Sequence, residues 1–277
     1  MGMRDTALKS AETEKLGYYD FMAYLGVPYF HVGGMRSTDE LLAMCQIDNS
    51  KRVLVVGCGT GYTTCRIAKE RGSEVLGIDI AKLMVSRAKE RVEKEVLKNK
   101  VKLVLGDAYR LPFRDNTFDT VLTEFVSIFL DKQKVLKEYV RVLRPNGFLG
   151  VNELYKSEEM PQEVRQSIAV AEGMFEKAIG LPLVLPTPSD WKAWFVDSEL
   201  KNIQLKQTHH IVGLAEYTKA VGGAIEMLKL NLRLIYYMLS SKVLRSRLRS
   251  VRKSSITLLR DRKNKQYVGV VLCIGQK

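Results

Sequence analysis

Nothing in the sequence approaches about eighteen consecutive uncharged apolar residues, the length that a membrane-crossing helix needs, and the opening MGMRDTALKS has no apolar centre of the kind a secretory signal uses. A spanning helix is excluded, and the expected location is the cytoplasm, membrane-peripheral if the basic segment described below meets lipid. Cysteine is scarce and scattered. Cys45, Cys58, Cys65 and Cys273 form no close pair, which fits neither a disulfide framework nor a four-ligand zinc site. Reduced, mostly buried thiols and no metal are expected. Acidic residues are scarce in one place: from 201 to 265 there are 3 Asp and Glu against 15 Lys and Arg. That local +12 leaves only +1 for the rest of a 277-residue chain whose net charge is +13. Charge alone does not choose among a nucleic acid, a membrane surface and an anionic small molecule as partner. Disorder is ruled out by composition, since 46% hydrophobic residues suffice for a core.

What is present is an alternation of strands and helices. Val53 to Val56 is an apolar run ending in Gly57-Cys58-Gly59-Thr60-Gly61, with helix-forming residues following to Arg71. Glu74 to Ile78 ends at Asp79 and precedes a charged helix over about 81–96. Further strands are expected at Val101 to Leu105, Phe118 to Thr123 and Phe148 to Glu153, ending near Asp107, Glu124 and Glu153. Repeated units of this kind predict a parallel sheet covered on both faces, with ligands at the carboxyl ends of the strands. Glycines at 57, 59 and 61 permit a sharp turn and bare backbone beside a helix N-terminus, and Asp79 is placed to accept hydrogen bonds from a ribose diol. A dinucleotide site is the obvious rival, but its fingerprint is G-x-G-x-x-G, whereas this turn reads G-x-G-x-G.

Five motifs in register decide between them. Leu54 to Gly61, Gly77-Ile78-Asp79, Gly106-Asp107-Ala108 with Leu111-Pro112-Phe113, Phe118-Asp119, and Leu143-Arg144-Pro145-Asn146-Gly147 with Gly150 together resemble the class I S-adenosylmethionine-dependent methyltransferases. Upstream, Tyr18-Tyr19-Asp20-Phe21, His31-Val32-Gly33-Gly34 and Ser37-Thr38-Asp39-Glu40 look like the N-terminal cap of the small-molecule branch, of quinone, sterol and tocopherol type. Ser37 and Glu40 have capping-box spacing for a helix to about Met44.

The resemblance implies a three-layer, doubly wound Rossmann-like α/β fold of about seven strands, the last antiparallel. It divides off a helical cap over 1–46 and a core over 47–210 and 266–277, and where the family normally has only a short connection a basic helical insertion over 211–265 is expected as substrate cap. It further implies S-adenosyl-L-methionine as cofactor and S-adenosyl-L-homocysteine as product. Gly57, Gly59 and Gly61 would meet the methionine portion and sugar, Asp79 the ribose, Ile80 and Met84 the adenine face, and Asp107 with Ala108 the adenine ring and amino group. Tyr19 and Gly34 are contacts from the cap, although Tyr18, Tyr19 and Tyr24 read equally as an aromatic packing face. Glu124 either holds the cofactor's ammonium group or acts as base, with Glu153, His31 and Tyr18 as further candidate bases. Asn146 stands where the family more often has glycine, and it tolerates a left-handed backbone.

Absent signatures narrow the acceptor. After the fourth strand Thr123-Glu124-Phe125-Val126 replaces the Asn/Asp-Pro-Pro-aromatic turn of DNA amine methylation; no Cys follows a Pro, as cytosine C5 methylation commonly has; and the thiols are not clustered as arsenic methylation requires. The tyrosine-histidine pair of phosphoethanolamine-type relatives is missing from 126–131. A small or lipid-like acceptor is expected, with peripheral membrane contact through 224–253, where basic and apolar residues interleave. The alternative is an RNA-modifying enzyme that binds nucleic acid through the same basic segment. Met1 to Thr6 also matches the loosely defined N-myristoylation pattern.

Overall fold

Strand β1 (Arg52–Val56) shows how the layers arise, because its side chains alternate between two cores. Val53 and Val55 point to one face with Leu41, Ile67 and Phe175, while Leu54 and Val56 point to the other with Leu136, Tyr139 and Trp191. Burial on both faces explains why the strand reads as an unbroken apolar run rather than as an alternating one. The computed structural model describes residues 10–29 and 31–277, so the Met1 to Thr6 pattern lies outside the described residues.

In chain order the first elements are α1 (Ser10–Glu14), α2 (Tyr18–Leu25) and α3 (Gly34–Met44). After β1 come α4 (Tyr62–Glu70), β2 (Glu74–Asp79), α5 (Lys82–Lys94), β3 (Val101–Leu105) and β4 (Phe118–Glu124). A short 3-10 turn over Ser127–Phe129 leads to α6 (Lys132–Val142), β5 (Leu143–Lys156), α7 (Gln162–Ile179), α8 (Pro188–Asp197) and β6 (Lys201–Thr208). Three helices then precede the final strand: α9 (Leu214–Val221), α10 (Ala224–Ser240), α11 (Lys242–Leu259) and β7 (Val268–Gln276).

The seven strands form one sheet in the order β3-β2-β1-β4-β5-β7-β6. The first five are parallel, and β7 inserts antiparallel between β5 and β6, with Gly150 opposite Ile274. This is the expected doubly wound, three-layer sheet with an antiparallel last strand. No helix fills the crossover from β3 to β4. Instead Arg141 on α6 donates to the carbonyls of Leu111 and Phe113 and pairs with Asp115 and Glu138, which ties the loop to that helix.

Two local expectations need correction. Helix α3 starts at Gly34, three residues before Ser37, and Ser37 Oγ donates 2.9 Å to the Gly34 carbonyl instead of capping. Glu40, free of any capping duty, pairs with Arg36 and Lys206. The fifth strand is also longer than Phe148 to Glu153: Leu143 pairs with Phe118 ahead of a register shift that holds the Arg144 to Gly147 turn, with Asn146 at φ +64°, and Leu154 to Lys156 continue against β7. Thr187 and Asp190 do form a capping box, at the start of α8.

Candidate functional site

Four parallel strands, β1 to β4, end at the same edge, and the loops that follow them enclose a cavity of about 460 Å³, inside the roughly 300–1,000 Å³ range of small-molecule sites. Gly57 turns the chain out of β1 at φ +67°, and a Cβ there would run into the Val126 side chain. Only glycine meets both demands, so β1 leaves bare backbone facing the cavity. Gly59 also lines it, whereas Gly61 does not: a Cβ on Gly61 would approach the Ala88 Cβ to 2.9 Å, so that glycine serves the packing of α4 on α5.

Asp79 ends β2 at the cavity edge. Its Oδ2 accepts from the Gly59 amide at 2.8 Å and its Oδ1 from the Ala81 amide at 2.9 Å. Burial pushes this carboxyl above its ordinary value against the pull of those two amides. Each carboxylate oxygen keeps a second acceptor position, which suits a pair of hydroxyls. Met84 is buried and Ile80 is 72% exposed, and both line the cavity with Asp107, Ala108 and Tyr109. An apolar side chain so exposed at a cavity edge presents a face for a planar ring.

Glu124 ends β4 in a ring of donors. Thr38 Oγ1 donates to Oε1 at 2.7 Å, Asn152 Nδ2 to the same oxygen at 2.8 Å, and Thr63 Oγ1 to Oε2 at 2.7 Å. The His31 ring stands 4.0 Å from Oε2. Burial alone raises this carboxyl, but the facing His31 and the three donors outweigh it and hold Glu124 below its ordinary value. A carboxylate held this way is a fixed anion and a weak proton acceptor. His31 is buried, stacks on Tyr29 with ring centroids 4.7 Å apart, and has no hydrogen bond at either ring nitrogen among the described residues.

The cavity's remaining wall is apolar and aromatic. Phe125, at φ +56° immediately after Glu124, lies edge-on to Phe129 at 5.2 Å, and Val126, Leu130, Leu181, Pro182 and Tyr19 complete the wall. Behind it Glu153 accepts from the amides of Val126 and Ser127 through Oε1, while its buried Oε2 has no hydrogen-bond partner among the described residues. Burial pushes Glu153 up to about 8, against those amides and Lys132.

Of the residues expected from sequence, Tyr19, His31, Gly57, Gly59, Asp79, Ile80, Met84, Asp107, Ala108 and Glu124 line this one cavity. Tyr18, Gly34 and Gly61 do not. Tyr18 is partly buried beside Tyr217 and Arg247 and does not reach the cavity, which does not favour it as a base. Gly34 packs against Glu216 of α9, whose carboxylate accepts from the Met35 amide at 2.6 Å. The sequence reading overlooked Thr38, Thr63 and Asn152, the donors around Glu124, and the wall residues Leu181 and Pro182. A hydroxyl within a helix carries no pattern of its own, and the stretch after α7 reaches the cavity only through the tertiary path. Thr63 alone left a trace, standing two residues after the glycine turn.

The chain is similar to known proteins. The family described as a methyltransferase domain matches residues 54–151. An uncharacterised protein of Haemophilus influenzae is 30% identical over 188 residues, covering 67% of this chain and 72% of that protein. The demethylmenaquinone methyltransferase of Lactiplantibacillus plantarum is 36% identical over 113 residues, 40% of this chain and 48% of that enzyme, so the match spans about half of the relative's length. Among solved structures, that of the [4+2]-cyclase SpnF superposes with a TM-score of 0.72 over 96% of both chains at 18% identity, a likeness of fold.

Proposed function

The chain belongs to the class I S-adenosylmethionine-dependent methyltransferases, and from that premise we propose that it methylates an apolar small-molecule or lipid-like acceptor. The observation that carries this reading is the division of the cavity: polar anchors at the ends of β1 to β4, and an apolar wall of Phe125, Val126, Phe129, Leu130, Leu181 and Pro182 beyond Glu124. The bare backbone at Gly57, the open acceptor positions of Asp79 and the exposed face of Ile80 fit the sugar, diol and ring of the expected cofactor. When bound, that cofactor supplies a methyl group already activated on a sulfonium.

The chain's own work is then to bind, orient and exclude water. Asp79 holds hydroxyls, and Glu124 presents a fixed negative charge to a positively charged ligand, a role its donor ring favours over that of base. His31 takes up the acceptor's proton at a ring nitrogen, with the Glu124 carboxylate beside it to stabilise the charge. The aromatic wall keeps water from the reacting atoms. The demethylmenaquinone relative supports an acceptor of quinone-like apolarity. An apolar wall beyond Glu124 favours a lipid-like acceptor over a polar nucleotide, and RNA bound through the basic segment is the outcome to be tested against. Incubation with radiolabelled S-adenosylmethionine and a cell extract tests the reading: label is expected in the organic phase, whereas label confined to RNA would overturn the acceptor class.

A further inference from the structure

Helix α10 has two apolar stripes on opposite sides, and only one of them is used by the fold. At about 100° per residue, Met227, Leu230, Leu234 and Tyr237 fall together and pack on the cap, where Phe21 meets the Tyr237 ring at 5.6 Å and the hydroxyls of Tyr24 and Tyr237 lie 2.9 Å apart. Ile225, Leu228, Leu232, Ile235, Tyr236 and Leu239 fall on the opposite side, each more than half exposed. A contiguous outward row of large apolar side chains marks an interaction surface.

The surrounding charge indicates what covers it. Positions 227 to 260 hold nine Lys and Arg and no Asp or Glu. Lys229 and Arg233 flank the stripe on α10, Lys229 paired with Glu226 at 2.7 Å. Arg245 reaches back from α11 to donate to the carbonyls of Met238 and Leu239, which places a guanidinium at the stripe's end. Lys242, Arg249, Arg252 and Lys253 continue the row on the exposed side of α11. A second copy seated on this stripe would bring the same acid-free segment of both chains together, and a polynucleotide would leave six apolar side chains without use.

We infer that the outward stripe of α10 and its basic border seat the protein on an anionic lipid bilayer, the stripe entering the boundary of headgroups and acyl chains and the basic residues facing lipid phosphates. No described helix is long and apolar enough to cross a membrane, so the contact is interfacial. The inner stripe of the same helix packs on α2, whose Tyr19 lines the cavity. Lipid-facing side and cavity thus share one cap. The docking does not depend on methyl transfer and is read without cofactor.

The test is co-sedimentation of the full chain with phosphatidylcholine vesicles, with and without phosphatidylserine, alongside Leu232→Glu/Leu239→Glu and Arg249→Glu/Lys253→Glu variants. Both pairs lie on the surface, and circular dichroism checks that they fold. Binding is expected only with phosphatidylserine, weakened by salt, and lowered roughly tenfold or more by the leucine pair, since each leucine withdrawn from lipid contributes on that scale. Absence of binding to anionic vesicles, or binding that the leucine pair leaves unchanged, overturns the inference. So does a concentration-dependent dimer, or a tRNA complex, that the leucine pair abolishes while vesicle binding is absent.

Discussion

Replacing Glu124 by glutamine separates its charge from its shape. The carboxamide fits the same space, and its oxygen still accepts from Thr38 and Asn152, while the Thr63 hydroxyl turns to accept from the new amide. Three charge-assisted hydrogen bonds become neutral ones, falling from roughly 1.5–3 to roughly 0.5–1.5 kcal/mol each, about 3–4 kcal/mol in total. Removing a buried charge returns a desolvation cost of similar size. Stability at neutral pH should therefore move by less than about 2 kcal/mol, a Tm change within roughly 8 °C. Affinity for the cationic cofactor should fall in one direction only, by one lost charge-assisted contact of about 1.5–3 kcal/mol, or roughly 10- to 150-fold. Glu124→Ala differs, because it leaves the three donors unpaired and should cost about 3–5 kcal/mol of stability. pH adds a further sign. The folded carboxyl lies below its ordinary 4.5, so its stabilising contribution is complete above that pH and disappears as pH falls through the folded value. Glu124→Gln lacks that acid limb. Calorimetric titration with S-adenosylmethionine, paired with thermal unfolding from pH 3 to 7, measures both effects. Unchanged cofactor affinity in Glu124→Gln, with the fold intact, would refute the fixed-anion role.

Glu153 has the opposite sign. Its folded value is about 8 against an ordinary 4.5, so as pH rises between those values the unfolded chain has released a proton that the folded chain keeps. Stability should fall by about 1.4 kcal/mol per pH unit from this group across that window, and urea titrations should show the slope reduced by one proton in Glu153→Gln. Gly57→Ala places a methyl group against Val126 at a left-handed φ, and should abolish cofactor binding and cost more than about 1 kcal/mol, with Val126→Ala relieving the collision but not the backbone strain. Thr187→Ala removes the capping box of α8, and chemical denaturation should register about 1 kcal/mol.

The parallel core was legible because physics left it few alternatives. A strand buried on both faces, such as Val53 to Val56, must be continuously apolar, and a turn as tight as that at Gly57 must be glycine. Residues that end strands β1 to β4 were legible for the same reason: the topology brings those ends to one edge. What escaped was tertiary. Tyr18 and Tyr19 are equivalent in the sequence, and only the docking of α2 turns one toward the cavity and the other toward Tyr217. The capping box at Ser37 and Glu40 had correct spacing, but Asn152 offers Ser37 a buried hydrogen bond at 2.9 Å and Lys206 gives Glu40 an ion pair. Most residues from Ala224 to Leu239 are apolar, so the sequence does not show how α10 divides between core and surface. With Leu230 and Tyr237 buried and Leu228 and Leu232 exposed, the helix has two apolar sides.

Methyl transfer to an apolar acceptor is measured by the passage of radiolabel from S-adenosylmethionine into the organic-soluble fraction of a cell extract, with the wild-type chain and with Asp79→Ala. Organic-phase label is expected that depends on the wild-type chain and falls at least about tenfold when Asp79 can no longer hold the ribose hydroxyls. Label that enters only RNA, or organic-phase label that Asp79→Ala leaves undiminished, would contradict the proposed function.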